Sequence, residues 1–227
     1  MTVNLNQSKK FSLRAILMVV ALLFSSGILS QINAQVRVQN SLKFGIMFFS
    51  SYDTALIIEN KDTAKKAINS DALTGSIIFF EKILENYFGY EARYGLFSQD
   101  LAMKIDGISS NITNTANLAG GSMRAYAQSH RRNGVNFYGA VNVGLLNSNL
   151  KFTRAPPGTL QGREYNFTTY AIGAEAGLDY LIRFAGMRAA VGYQYGSSSV
   201  VNDNSSAYTL RYDLGSPYLV VGVFSFF

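Results

Sequence analysis

The chain has 227 residues and a formal net charge of +6, with 20 Gly, 16 Phe and 14 Tyr but only 3 Pro, one His, and no Cys or Trp. That composition excludes a disulfide scaffold and a cysteine-based zinc site, and 15% charged residues is too few for a charge-rich disordered chain. Once a leader is set aside, the length suits one domain better than two.

Residues 1–34 carry Lys9, Lys10 and Arg14 and no acid, then an apolar run from Ala15 to Leu29, then Ile32-Asn33-Ala34. A basic start, an apolar middle and a small residue at the junction predict a secretory signal peptide ending at Ala34, with residues 35–227 as the mature domain. A retained helical anchor competes with this reading. However, the run is interrupted by Ser25, Ser26 and Gly27 and falls short of the about 20 residues a spanning helix needs. Losing the leader lowers the formal charge from +6 to +3, so the basic balance gives no argument for nucleic-acid binding.

Beyond the leader, period-two patterning predicts eight strands near residues 41–50, 73–82, 87–99, 117–129, 134–148, 165–182, 187–198 and 207–227. The first sets Leu42, Phe44, Ile46 and Phe48 against Lys43, while the second, around Ile77 to Glu81, also admits a short helix through Leu84. The third sets Tyr90, Ala92, Tyr94 and Leu96 against Glu91 and Arg93, and the Ala- and Gly-rich fourth contributes Arg124. In the fifth, Phe137, Val141, Val143 and Leu145 alternate with Tyr138, Ala140, Asn142 and Gly144. The sixth places Tyr170, Ile172, Leu178 and Ile182 opposite Glu175 and Asp179, and the seventh Met187, Val191 and Tyr195 opposite Arg188 and Gln194. In the eighth, Gly215-Ser216-Pro217 suggests a bulge that changes parity, which leaves Arg211 and Asp213 unassigned.

The links between segments alternate in length. Long polar ones at 51–72, through Asp106 to Asn111, at 149–164 (with Pro156-Pro157-Gly158) and at 199–206 are separated by short ones at 83–86, 131–133 and 183–186. An up-and-down antiparallel meander with tight turns at one end and loops at the other has this arrangement. Because hydrocarbon cannot satisfy a free sheet edge, the expected fold is all-β: a closed up-and-down antiparallel transmembrane β-barrel of about eight strands.

With these segments and the ending Tyr218-Leu219-Val220-Val221-Gly222-Val223-Phe224-Ser225-Phe226-Phe227, the mature chain resembles the small eight-stranded outer-membrane barrels of Gram-negative bacteria typified by OmpA and OmpX. The resemblance implies an outer-membrane location, Phe227 as the C-terminal signal read by the barrel-assembly machinery, periplasmic chaperones on the way, and outer-membrane lipids and lipopolysaccharide as surroundings. It also implies a monomer. Ser225 departs from the family's usual large apolar residue at that position.

A charge facing lipid at the membrane midplane costs about 2–4 kcal/mol for Lys or Arg, so Lys43, Glu91, Arg93, Arg124, Glu175, Asp179 and Arg188 are expected inside the barrel. With the N-terminus in the periplasm, Lys43, Glu91, Asp179 and Arg188 fall near the turn end, and Arg93, Arg124 and Glu175 nearer mid-barrel. Opposite signs at comparable depths predict an ion-pair network that plugs the barrel. Tyr87, Phe88, Tyr165, Tyr180 and Tyr218, near segment ends, are expected in interfacial aromatic belts.

Enzyme chemistry has little support. The single His130 is flanked by Ser129, adjacent in sequence and thus on opposite faces if extended, and by Arg131-Arg132 at a turn. One His and no Cys leave only scattered carboxylates for a metal, so neither a catalytic site, a metal nor a cofactor is expected. Lys61, Lys65 and Lys66 make the first long link basic without naming a ligand. The leading function is therefore a structural envelope protein with loops free for adhesion or recognition. The alternative is a narrow pore or OmpW-like conduit for hydrophobic substrates, and a lipid-modifying enzyme ranks third.

Overall fold

The structure is a computed structural model that describes residues 41–62, 66–84, 87–127, 134–155, 160–182, 184–198, 200–202 and 208–227. Residues 1–34, expected as a signal peptide, His130 with its Ser129 and arginine neighbours, and Pro156-Pro157-Gly158 lie outside them. Strands β1 (Ser41–Asn60), β2 (Lys66–Leu84), β3 (Phe88–Ile105), β4 (Ile108–Tyr126), β5 (Gly134–Arg154), β6 (Glu164–Ile182), β7 (Ala185–Ser198) and β9 (Tyr208–Phe226) form the wall, and the two-residue β8 (Val201–Asn202) pairs on β9. Each wall strand runs antiparallel to its neighbours, and β9 pairs with β1 from Lys43 opposite Phe226 to Asn60 opposite Tyr208, so the sheet closes. No open edge remains in that ring, as hydrocarbon demands. Backbone bonds from Leu42 to Phe227 (3.0 Å) and from Phe227 to Leu42 (2.9 Å) fasten the start of β1 beside the last residue.

The strands outrun the membrane. On β3 the outward apolar residues end at Leu96 and on β5 they run from Val135 to Leu145, which matches the about 9–11 residues of one crossing, yet β5 has 21 residues. The surplus adds roughly 30 Å of paired strand beyond the lipid at the end away from the termini, called distal below. Segments expected as long links, 51–72 and 106–111, are mostly strand, the 149–164 link is strand through Arg154, and β3 turns into β4 through Asp106 and Gly107 alone. Both have positive φ, 48° and 84°, the geometry that lets a two-residue turn follow the twist of its strands. Polar composition misled the reading of these segments, because water on the outside of the distal half makes polar outward rows the stable choice. The segment around Ile77 to Glu81 is strand, not helix.

Polarity inverts between the two halves. Around the lipid, Phe44, Ile46, Phe48, Val141, Val143, Ile172, Val191 and Val223 point outward and are 40–66% exposed. In the distal half the buried inward row is apolar instead, with Leu56, Ile58, Leu101, Ile112, Leu150, Phe152 and Leu210 at 0–2% exposure. Strand β1 makes the change through a register shift between Ser51 and Thr54, seen against both β2 and β9, which moves burial from its odd to its even residues. β9 keeps one parity from Tyr208 to Phe226, so the expected parity change at Gly215 to Pro217 falls on β1 instead, and Arg211 and Asp213 point outward as an ion pair at 2.9 Å.

A closed ring of this kind resists detergent until heated. Refolded protein run unboiled on a denaturing gel should therefore migrate at a different position from the boiled sample, and a single heat-independent band would contradict closure.

Candidate functional site

The lipid-embedded half holds eight ionised side chains on the inside wall: Lys43, Arg93, Arg124 and Arg188 with Glu81, Glu91, Glu175 and Asp179. All are buried, with Lys43, Glu81, Arg124 and Asp179 at 0% exposure, and the four cations balance the four carboxylates. The period-two wall explains the placement. Each strand gives its inward row to the lumen and its apolar row to lipid, so a charge on the inward parity of any strand reaches the same central space.

Register sets up a conflict that the arginines resolve. Glu81 and Glu91 stand directly opposite each other on β2 and β3, a like-charge pair that by itself opposes strand pairing. Arg188 bridges them, with Nη1 at 2.6 Å from Glu91 and Nη2 at 2.7 Å from Glu81, while its Nε donates to Asp179 at 2.7 Å. Arg124 bridges them again from β4, at 2.8 Å from Glu91 and 3.0 Å from Glu81, and reaches Glu175 at 3.3 Å. Lys43 donates to Asp179 at 2.5 Å and to the Tyr126 hydroxyl at 2.8 Å. Arg93 pairs with Glu91 on its own strand and with Glu175 at 3.1 Å across the lumen. The links form one connected circuit.

Tyrosines add further hydrogen bonds, although Arg124 Nε stays without a partner among the described residues. Tyr126 donates to Glu81 at 2.5 Å, Tyr138 to Glu175 at 2.8 Å and Tyr218 to Glu175 at 3.1 Å. The Tyr138 ring also lies against both central guanidiniums, 4.6 Å from that of Arg124 and 5.2 Å from that of Arg188, where its π face adds to their stabilisation. Distal to the ions, Phe49 packs on Phe97 and on Tyr218 with both ring separations at 5.2 Å. Farther out, Gln99 donates to Thr54 at 2.7 Å and accepts from Tyr212 at 3.0 Å, a polar layer beneath the apolar distal core.

The structure brings together all seven charges singled out in the sequence: Lys43, Glu91, Arg93, Arg124, Glu175, Asp179 and Arg188. Sequence reasoning missed Glu81, because Ile77, Phe79 and Ile83 on one parity and Ile78 and Phe80 on the other leave that strand without alternation. The dipeptide Glu81-Lys82 held the clue, since in a strand one of the two must face inward. Tyr218 and Tyr165, expected in the aromatic belts, are buried at 4% and 8% on the inward parity. The girdle above the lipid-facing band is carried instead by residues such as Tyr94, Tyr170 and Tyr195, which are 50–75% exposed, with Phe88 and Tyr180 near the turn end. Phe227 is 74% exposed at the membrane edge. Among the described residues no cluster of His, Cys, Asp or Glu is arranged to hold a metal.

Outward charges lie at or beyond the edges of the apolar band, Lys82 at the turn end and residues such as Asp100, Lys151, Glu164, Arg211 and Asp213 on the distal side. With charge inside, hydrocarbon-compatible side chains outside and no free strand edge in the ring, the molecule has the fold of a small eight-stranded transmembrane β-barrel. The sequence matches no protein-family model and none of the curated proteins. Among solved structures, the fold is shared with the outer membrane protein OprG of Pseudomonas aeruginosa, with a TM-score of 0.62 and 16% identity over 86% of this chain and 99% of that one. Neisserial surface protein A is more distant, with a TM-score of 0.47 and 13% identity over 80% of this chain and 96% of that one. The outer membrane protein AlkL has a TM-score of 0.46 and 11% identity over 86% of this chain and 92% of that one.

Removing one partner from a buried ion network leaves the others uncompensated, at a cost of about 3–5 kcal/mol. Arg188→Ala takes one cation from Glu81, Glu91 and Asp179 at once, leaving three carboxylates to share the remaining cations, and should lower unfolding free energy in urea by about that amount. Arg211→Ala, which breaks only the partly exposed pair with Asp213, should cost less than about 1 kcal/mol. Equal effects of the two substitutions would contradict this account of the interior.

Proposed function

We propose that this protein is a structural component of the outer membrane, a monomeric barrel whose interior is sealed and whose distal hairpins form a surface platform for adhesion or recognition. The observation that carries this reading is the filled lumen. The circuit of Lys43, Glu81, Glu91, Arg93, Arg124, Glu175, Asp179 and Arg188 occupies the membrane half, and a packed apolar core occupies the distal half. An eight-stranded ring has room for little more than its own side chains. Phe227, exposed at the edge and held to Leu42, is proposed as the residue offered to the assembly machinery. The distal half is the end proposed to face outward.

A conduit for hydrophobic solutes is the second reading, and the apolar distal interior, including Leu56, Leu101, Leu150 and Phe152, favours it. A solute entering from outside would meet a compatible wall there and then the ionic layer, which is the wrong surface for it. No hydrolytic role is assigned, because every interior carboxylate of the membrane half is committed to a guanidinium or ammonium.

Ion conductance in planar bilayers separates the readings. The sealed barrel predicts no stable open channels from protein that shows the heat-dependent gel shift. Long-lived channels of large conductance would overturn the plug, and protein-dependent uptake of an apolar dye by vesicles would favour the conduit.

A further inference from the structure

Backbone pairing closes the wall through the lipid, yet two of its seams part farther out. β2 and β3 pair from Leu84 opposite Phe88 to Thr74 opposite Ser98, and beyond that point β2 runs on to Lys66 and β3 to Ile105 with no ladder between them among the described residues. β6 and β7 pair from Ile182 opposite Ala185 only as far as Thr169 opposite Ser198, although β6 begins at Glu164. The distal half is therefore two facing sheets, β2, β1 and β9 with the short β8 on one side and β3 to β6 on the other. Their inner faces share the apolar core.

Across the seam between β2 and β3, side chains take over from backbone at two levels. At the lower one, Gln99 of β3 donates to the Asp71 carbonyl oxygen of β2 and to the Thr54 hydroxyl of β1, both at 2.7 Å. At the mouth, Asn60 Nδ2 donates to Asp106 Oδ2 at 2.7 Å, and the Tyr208 hydroxyl donates to the same oxygen at 2.6 Å. The donors stand at the ends of β1 and β9 and the acceptor in the turn between β3 and β4, so one carboxylate ties the two sheets together. Beside this tie lies a cavity of about 380 Å³ whose wall includes Ile58, Ala67 and Ile105, with Ile58 and Ile105 only 1% exposed. Parting two laddered strands breaks backbone bonds one after another, whereas parting β2 from β3 at the mouth breaks the Asp106 tie and uncovers the cavity wall.

We propose that this seam is a side port into the apolar distal interior and that Asp106 is its latch. Bonded to Asn60 and Tyr208, the carboxylate holds the β3–β4 turn against the ends of β1 and β9 and keeps the port shut. Released, the turn swings away from β2, and a small uncharged apolar molecule reaches the wall formed by Ile58, Ala67 and Ile105. The cavity lies within the about 300–1,000 Å³ of small-molecule sites, at the small end. For its solute the proposal rests on the conduit reading with the distal end outward, whereas the latch rests on the geometry of the tie.

The chain has no cysteine, so a single introduced thiol reports opening without background. In refolded full barrel, Ile58→Cys should react with an uncharged maleimide at least about tenfold faster when combined with Asp106→Gly, which removes the acceptor and tolerates the φ of 48°. Tyr208→Phe, which removes one of the two donors, should give a smaller rise in the same direction, and both variants should keep the heat-dependent gel shift. Met47→Cys, buried in the membrane half, should stay unreactive throughout. Unchanged labelling of Ile58→Cys in both variants, or an equal rise at Met47→Cys, would overturn the latch. Faster labelling in a barrel that carries no phenylnaphthylamine into vesicles would sink the conduit reading and leave the latch standing.

Discussion

Inside hydrocarbon the usual order of a folded protein is reversed, and this barrel is built on that reversal. The outer surface must be apolar, so polar side chains needed to fill a narrow lumen have nowhere to go but inward, where water cannot solvate them. Charges survive there only when each meets opposite charge and its remaining donors or acceptors are bonded. The lumen meets this with four cations, four carboxylates and three tyrosine hydroxyls, Arg124 Nε being the donor among these ions that finds no partner in the described residues. Two glutamates placed directly opposite each other would push their strands apart, so the register of β2 on β3 depends on Arg124 from β4 and Arg188 from β7 reaching between them. Charged side chains from six strands, with tyrosines from β5 and β9 on the other two, thus fix the ring as a whole, a coupling that pairwise strand contacts do not supply.

Where the strands leave the lipid, the constraint relaxes and the ordinary arrangement returns. The distal half is a water-soluble barrel on top of a membrane barrel, apolar inside and polar outside. The transition leaves a mark in the sequence. On β5 the apolar parity changes from odd, through Leu145, to even, from Leu146 through Leu150 and Phe152. On β3 it changes from even to odd between Leu96 and Phe97. β1 has apolar residues at even positions in both halves, Phe44, Ile46 and Phe48 facing lipid and Leu56 and Ile58 facing the distal core, and changes sides through its register shift.

These details explain what was legible in the sequence and what was not. In the membrane half a lone charge in an apolar alternation has one allowed side, so Lys43, Glu91, Arg93, Arg124, Glu175, Asp179 and Arg188 could be set on the inner wall from parity alone. Their partners could not, because an arginine side chain spans several rungs and register between distant strands is a property of the closed ring. Glu81 escaped since its strand is apolar on both faces, and Tyr218 because a tyrosine suits a membrane interface and a buried hydroxyl contact equally well. The distal strands were mistaken for links because a parity change looks like a loss of pattern unless the solvent is known to change at the same place.

The central claim is that the guanidiniums inside the barrel are bonded and shielded from water, and their own protons report on it. Hydrogen exchange at the arginine Nε positions, followed by NMR on the refolded barrel, measures that shielding directly. The Nε protons of Arg93 and Arg188, donated to Glu91 and Asp179, should exchange far more slowly than that of the outward Arg211. Exchange of all three at the same fast rate would mean a water-filled lumen and would contradict the account.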